Sequence, residues 1–145
     1  MNERIETLRR EHTRLGALAD ELCEAARSLP ELDPEHRADV LRHVGTFLNE
    51  QVAPHTWIDE HVLYPEVVER LGDPLVTASM NYDHQAIRRW TDDIAATDPR
   101  NLGRAQQLLY GLAALITVHM WKEDELYLAA LDSPSWPALT GSEPP

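Results

Sequence analysis

The amino-acid sequence predicts an all-α fold, an antiparallel up-down-up-down bundle of four helices. Apolar residues recur at steps of three and four along four long stretches, which is the period of an amphipathic helix. Three short stretches rich in proline, glycine and aspartate separate them, and short connections make consecutive helices antiparallel neighbours. No comparable stretch alternates with a period of two, so a sheet is not indicated.

Each stretch presents one stripe along a single helix face. The first stripe comprises Ile5, Leu8, His12, Leu15, Ala19, Leu22, Ala26 and Leu29. The second comprises Leu41, Val44, Leu48, Val52, His55, Asp59 and Val62. The third comprises Val76, Met80, His84, Ile87, Thr91 and Ile94. The fourth comprises Ala105, Leu109, Leu112, Ile116, His119, Glu123, Leu126 and Ala130.

The breaks between the stretches lie at residues 30–34, 72–74 and 98–101. Inside the second stretch, Pro54 removes a backbone donor and clashes with the preceding turn, so we expect a kink or two helices in tandem. Residues 1–132 are predicted to form the bundle. Residues 133–145, which contain several prolines and a Gly-Ser pair, are predicted to form an irregular tail.

Composition limits the classes of partner. The chain has 145 residues and a formal net charge of −12, which argues against binding to nucleic acid or to an anionic membrane surface. The single cysteine, Cys23, cannot form an intramolecular disulfide. Because the first residues are charged and no apolar run is long enough to span a bilayer, a cytoplasmic location is expected.

Polar residues interrupt all four stripes. Each stripe contains one histidine where an apolar side chain is expected: His12, His55, His84 and His119. Two stripes also carry a carboxylate four residues later, Asp59 and Glu123, and this spacing places both side chains on one helix face. Burying a single unpaired polar group costs on the order of 1–3 kcal/mol, so six of them require a common explanation.

The positions of these residues along the helices provide that explanation. In an up-down-up-down bundle, the beginnings of the first and third helices lie at the same end as the ends of the second and fourth. At about 1.5 Å per residue, the polar positions of all four helices fall within about one helical turn of the same level. We therefore expect the six side chains to meet.

Four imidazoles and two carboxylates around one cavity suit first-row transition metals, and the carboxylates can bridge two ions. The histidines disfavour an all-oxygen calcium or magnesium site. A structural zinc site is disfavoured because six ligands are too many for one tetrahedral ion and none is a cysteine. A ferritin-like site requires Glu-x-x-His pairs, and no histidine of this sequence has a glutamate three residues before it.

Other candidates are interpreted as structural. His36, His43 and His61 lie off the stripes and are expected at the surface. His61 is close enough to the second-helix motif to contact a metal-ligating residue. The tryptophans Trp57, Trp90 and Trp121 are interpreted as packing residues, and the tyrosines Tyr64 and Tyr127, one turn beyond the carboxylates, as core residues.

Four segments together resemble the hemerythrin-like (HHE cation-binding) domain family, over nearly the whole chain up to about Asp132. The first contains REHTRL and the third YDHQAIRRW. The second contains PHTWIDEHVLYPEV, with a histidine, an acidic pair and a Leu-aromatic-Pro sequence, and the fourth contains VHMWKEDEL, with the family's His-x-x-x-Glu. The order of the four motifs is more specific than any one of them.

This resemblance implies a non-haem di-iron centre, with two iron ions bridged by a solvent-derived oxo or hydroxo group. The metal ligands implied are His12 and His55 on one iron, His84 and His119 on the other, and Asp59 and Glu123 as bridges.

The sequence departs from oxygen-carrying hemerythrins in three places. Met80 stands where those proteins have a further histidine, which would leave an open coordination position on one iron. Asp124 fits the His-x-x-x-x-Asp spacing of those proteins, whereas Glu123 fits His-x-x-x-Glu, and we favour Glu123 because residues four apart face the seam together. Asp59 replaces the more usual glutamate, and Glu60 is the alternative donor.

The leading functional hypothesis is a cytoplasmic di-iron protein that binds or senses dioxygen or related small molecules, such as nitric oxide or peroxide. The first alternative is a redox enzyme at the same centre, with catalase-like or nitric-oxide-linked activity. The second is a structural or regulatory bundle that the metal only stabilises. The sequence contains no output domain, so a sensor would act through a separate signalling partner.

Overall fold

The computed structural model describes residues 2–133 and contains helices and turns but no strand over that range. The tail predicted for residues 133–145 lies, apart from Ser133, outside the described residues. The α-helices are α1 Glu3–Ser28, α2 Pro34–Gln51, α3 Ala53–Ile58, α4 Tyr64–Leu71, α5 Ala78–Ala96, α6 Leu102–Lys122 and α7 Ala129–Asp132. Each helix of the described chain is too short or too polar to span a bilayer.

These elements form four bundle helices, as the sequence predicts. The first is α1 and the third is α5. The second consists of α2, α3, a π-helical turn at Asp59–Leu63 and α4, and the fourth consists of α6, a π-helical turn at Glu123–Leu128 and α7. The boundary between α2 and α3 falls at Val52, directly before the Ala53-Pro54 pair, so the expectation of two helices in tandem is confirmed.

The connections are short because the sequence ends each helix sharply. Asp33 caps α2 through its side chain, which accepts a hydrogen bond from the backbone N–H of His36. Gly72 ends α4 in the left-handed conformation with a φ of 73°, which glycine adopts without steric cost. Asn101 caps α6 by accepting a hydrogen bond from the N–H of Arg104. All three predicted breaks are therefore confirmed.

Contacts between the ends show that neighbouring helices are antiparallel. Arg4, at the beginning of the first helix, pairs with Glu66 near the end of the second, at 2.6 Å. Gln106, at the beginning of the fourth, donates a hydrogen bond to the carbonyl of Ala26 near the end of the first. The first helix packs on the fourth, the fourth on the third and the third on the second.

The two π-helical turns shift the buried face of the helices that contain them. A π turn inserts one extra residue into the helical repeat, so the residues after it rotate relative to an uninterrupted α-helix. Val62 and Leu126, expected in the stripes, are 36% and 53% exposed. Leu63 and Leu128 are fully buried. The prediction that Val62 and Leu126 belong to the core is therefore wrong, because it assumed an unbroken period of 3.6.

The apolar core consists of two clusters. The larger fills the end of the bundle that contains Leu22, Leu48, Ile94 and Leu109. The smaller, at the other end, contains Ile5, Leu8, Leu63, Tyr64, Val67, Met80, Tyr127 and Leu128. The six polar residues of the stripes lie along the helices between these clusters, so the two apolar regions enclose a polar layer.

The rotation after the second π turn predicts different costs for two leucines only two residues apart. Leu128→Ala should lower the free energy of unfolding by about 2–5 kcal/mol, because it leaves a cavity in the smaller core cluster. The matched control Leu126→Ala should change it by less than about 0.5 kcal/mol, because the side chain is largely exposed. Urea unfolding of both variants measures the difference, and equal costs would contradict the rotation.

Candidate metal centre

The six polar residues of the stripes meet in the centre of the bundle. His55, Asp59, His84, His119 and Glu123 have no exposed surface. His12 is only 3% exposed. The bundle topology therefore brings together all six predicted site residues, with one histidine from each of the four bundle helices.

Glu123 occupies the middle of this cluster and divides its two carboxylate oxygens between opposite sides. Its Oε2 lies 3.2 Å from Nε2 of His12 and 3.7 Å from Nε2 of His55. Its Oε1 lies 3.4 Å from Nε2 of His119. A carboxylate placed in this way can contact two cations at once.

Asp59 provides the second link across the cluster. Its Oδ2 lies 3.2 Å from Nε2 of His55 and 3.5 Å from Nε2 of His84. The Nε2 atoms of His84 and His119 lie 2.9 Å apart and face the same space. All four imidazoles therefore turn Nε2 toward the interior.

Two sets of potential ligand atoms result, within each of which all atoms lie less than 4.8 Å apart. One set contains Asp59, His84, His119 and Glu123, and the other contains His12, His55 and Glu123. Glu123 belongs to both sets. The grouping of His12 with His55 and of His84 with His119 agrees with the pairing that the family resemblance implies, while their role as ligands stays a prediction.

Unsatisfied polar atoms show that this cluster fits a cation. Among the described residues, Nε2 of His12, Nε2 of His55, both carboxylate oxygens of Asp59 and Oε2 of Glu123 are buried without a hydrogen-bond partner. Each such atom costs on the order of 1–3 kcal/mol, and more when it is charged. A bound cation would satisfy all of them, because imidazole nitrogens and carboxylate oxygens are ligands of first-row transition metals.

The two alternative carboxylate donors lie outside the cluster. Glu60 points its Oε1 to Nδ1 of His84, at 2.9 Å, and its side chain is 25% exposed. Asp124 points its Oδ1 to Nδ1 of His12, at 2.7 Å, and its side chain is 29% exposed. The structure places Asp59 and Glu123 inside, and gives Glu60 and Asp124 contacts with the outer nitrogens of the histidines.

Tyr64 is a polar group of the site that the sequence interpretation treated only as a core residue. Its hydroxyl donates a hydrogen bond to Oε1 of Glu123 at 2.6 Å and lies 3.2 Å from Nε2 of His84. The side chain is buried as predicted, and its ring stacks on the imidazole of His84. Tyr64 follows Asp59 by five residues, which is one turn of a π-helix. This spacing is the sequence signal that could have identified Tyr64 as a site residue.

The carboxylates and imidazoles shift each other's pKa values. Burial raises the pKa of Asp59, and the negative charge of Glu123 adds to this. Burial also favours the neutral form of Glu123, but its contacts with His119, His12 and His55 outweigh burial and bring its pKa well below the usual value. Burial opposes protonation of His12, yet Glu123 and Asp124 raise its pKa to about 9.

The remaining candidates lie at or near the surface. His36, His43 and His61 are exposed, as expected, and His61 stacks on the ring of Trp57. Trp90 packs against the core at Gly111, which confirms one of the three packing assignments. Trp57 and Trp121 are 57% and 66% exposed, so for these two the assignment is wrong. Both precede a π turn on the outward face of their helix.

The family model of the hemerythrin HHE cation-binding domain matches residues 3–131. No curated protein and no solved structure gives a significant match.

Removal of the Tyr64 hydroxyl tests its contact with the central carboxylate. Tyr64→Phe should lower the free energy of unfolding of the metal-free protein by about 1–3 kcal/mol, because Oε1 of the buried Glu123 loses its donor. Tyr82→Phe is the control, since Tyr82 is 70% exposed. Chemical denaturation compares the variants, and a cost no larger than that of the control would contradict the contact.

The raised pKa of His12 predicts how the stability of the metal-free protein depends on pH. Protonation of this histidine stabilises the folded state fully below its ordinary pKa of 6.5, and the contribution disappears as pH rises through about 9. The free energy of unfolding should therefore fall by up to about 3 kcal/mol between these values.

Urea unfolding of chelator-treated protein at several pH values measures this change. His12→Gln should flatten the profile in part, because the pKa of His119 is also raised and contributes over the same range. Constant or increasing stability from pH 6.5 to pH 9 in the unchanged protein would contradict the prediction.

Proposed function

Because the chain belongs to the hemerythrin HHE cation-binding domain family, we propose that it is a non-haem di-iron protein that binds or senses dioxygen or a related small molecule, such as nitric oxide or peroxide. The observation that carries this proposal is the position of Glu123, whose two oxygens face two different pairs of histidines. A cluster built for one ion has no need of such a shared carboxylate.

The composition of the donor sets favours iron. His12, His55 and Glu123 form a set of two histidines and one carboxylate, the combination typical of non-haem iron sites that react with oxygen. The other set adds Asp59 to two histidines and the same Glu123. When bound, iron supplies Lewis acidity and reversible electron transfer.

The number of donors leaves room for an additional ligand. The protein offers three donors in one set and four in the other, fewer than the six of an octahedral ion. Met80, where oxygen carriers have a further histidine, is buried in the smaller core cluster and offers only a weak thioether acceptor. Both donor sets therefore leave positions open, and Met80 supplies no histidine to fill one on the side of His84 and His119.

The burial of the site restricts what can bind there. All six proposed ligands have at most 3% of their surface exposed, and apolar clusters lie on both sides of them. This burial favours a ligand of two or a few atoms, because a larger substrate would require the helices to separate. The low dielectric of such a site strengthens the contacts that the chain makes there, including the hydrogen bond from Tyr64 to Glu123.

Metal content is the first test of the proposal. Protein expressed in iron-supplemented medium should contain about two irons per chain, as the two donor sets require. His55→Ala should lose most of this iron, because it removes a buried donor. His61→Ala, which changes an exposed histidine of the same helix, is the matched control and should retain it. A value near zero for all transition metals in the unchanged protein would refute the di-iron site.

The second test of the proposal exposes the iron-loaded protein to the candidate ligands. Reduced, iron-loaded protein should change its near-ultraviolet and visible absorption when air, nitric oxide or peroxide is added, and the responding ligand identifies the class. No change with any of the three would refute the binding role, even if iron is present. For a sensing role, we propose a signalling partner.

A further inference from the structure

The outer side of the four buried histidines shows a regular arrangement. While Nε2 of each imidazole faces the interior, Nδ1 faces an acidic side chain. We call these four acids the carboxylate ring: Glu11, Glu60, Asp83 and Asp124. Three of the contacts are hydrogen bonds, from His12 to Asp124 at 2.7 Å, from His84 to Glu60 at 2.9 Å and from His119 to Asp83 at 3.0 Å. In the fourth, Oε2 of Glu11 lies 3.7 Å from Nδ1 of His55.

Each acid of the ring is the sequence neighbour of an inward-facing residue. Glu11 precedes His12, Glu60 follows Asp59, Asp83 precedes His84 and Asp124 follows Glu123. Successive residues of a helix point about 100° apart, so an acid beside an inward residue reaches sideways toward the adjacent helix.

The contacts therefore run in one direction around the bundle. The acid on the first helix reaches the histidine of the second, the second reaches the third, the third reaches the fourth, and the fourth returns to the first. Every helix supplies one histidine and supports the histidine of its neighbour. Each of these contacts joins two helices, so the sequence pattern of one helix alone does not predict it.

Two members of the ring are held in place by cations. Arg88 donates a hydrogen bond to Oε1 of Glu60 at 2.9 Å, and Lys122 contacts Oδ2 of Asp83. Partial burial favours the neutral acids, but these cations and the histidines outweigh burial and lower the pKa of both carboxyls. Both acids contact histidines of the same donor set.

We propose that the carboxylate ring positions the four histidines for metal binding. Accepting the Nδ1 proton leaves the lone pair of Nε2 directed at the interior and makes the imidazole a stronger ligand. The proposal rests on the proposed function, because it assigns a role toward the cation of that site. The acids are positioning residues, because they contact the outer nitrogens of the histidines and lie outside the two donor sets.

The four acids of the ring should contribute unequally to metal affinity. Asp83→Asn and Glu60→Gln should each weaken metal binding by about 10–100-fold, the usual effect of removing a partner of a ligating histidine. Asp124→Asn should have a comparable effect through His12. Glu11→Gln should have the smallest effect, because its oxygen lies beyond hydrogen-bond distance from His55.

Anaerobic titration of the full chain with cobalt(II) measures these effects through the visible spectrum of the bound ion. Asp93→Asn is the matched control for Asp83→Asn, because both aspartates lie on α5 and pair with a basic residue of the fourth helix, Arg104 or Lys122. Lys122→Met removes the cation while keeping the carboxylate of Asp83, and should weaken binding less than Asp83→Asn. Asp83→Glu should restore part of the lost affinity.

A second measurement needs no metal. Nuclear magnetic resonance of metal-free protein with labelled histidines should detect hydrogen-bonded Nδ1–H protons of His12, His84 and His119 that exchange slowly with water. Asp83→Asn should remove or shift the Nδ1–H signal of His119 and leave the signals of His12 and His84 in place. If Asp83 only joined two helices, Asp83→Asn would leave the cobalt affinity unchanged.

The outcomes separate this proposal from the proposed function. A cobalt affinity of Asp83→Asn equal to that of Asp93→Asn overturns the positioning role. If the unchanged protein binds no cobalt and contains no iron, the proposed function fails, and the role of the ring in metal binding fails with it. If the unchanged protein binds cobalt but Asp83→Asn alters neither the cobalt affinity nor the Nδ1–H signal of His119, only the positioning role is overturned.

Discussion

The structure depends on placing six polar side chains at one level of an otherwise apolar core. A buried carboxylate or imidazole without partners destabilises a fold by several kcal/mol, so none of the six would be tolerated alone. Contacts among the six satisfy some of their polar atoms. Nε2 of His12 and of His55, both oxygens of Asp59 and Oε2 of Glu123 stay unsatisfied, and these atoms belong to the side chains that can hold a cation. The register of all four helices is thereby constrained, since a slip of one turn would separate the donors.

The two π-helical turns are part of this solution. Each begins at an inward carboxylate, Asp59 or Glu123, four residues after a histidine. The extra residue lets the chain keep the donors together and then turn a new face to the smaller core cluster. Tyr64 and Tyr127 are buried by this rotation, and Tyr64 thereby reaches Glu123. Turns of this type occur frequently at functional sites, where they redirect side chains.

Charge is arranged in layers around the centre. The imidazoles lie between inner carboxylates and outer ones, and Arg88 and Lys122 neutralise two of the outer acids. Negative charge close to a cation site offsets the cost of removing the ion from water. The same burial keeps solvent from the donors, as the proposed binding of a small ligand requires. Fold, electrostatics and proposed function therefore depend on one layer of residues.

The sequence by itself determined the four helices, their breaks and the six inward polar residues, because these follow from local periodicity and from turn residues such as Gly72. It also favoured Glu123 over Asp124, since residues four apart share a helix face. Only the tertiary structure decided the exposure of Val62 and Leu126, the place of Tyr64 and the partner of each outer acid. Asp124 and His12 are 112 residues apart along the chain, and contacts between helices leave no local pattern in the sequence.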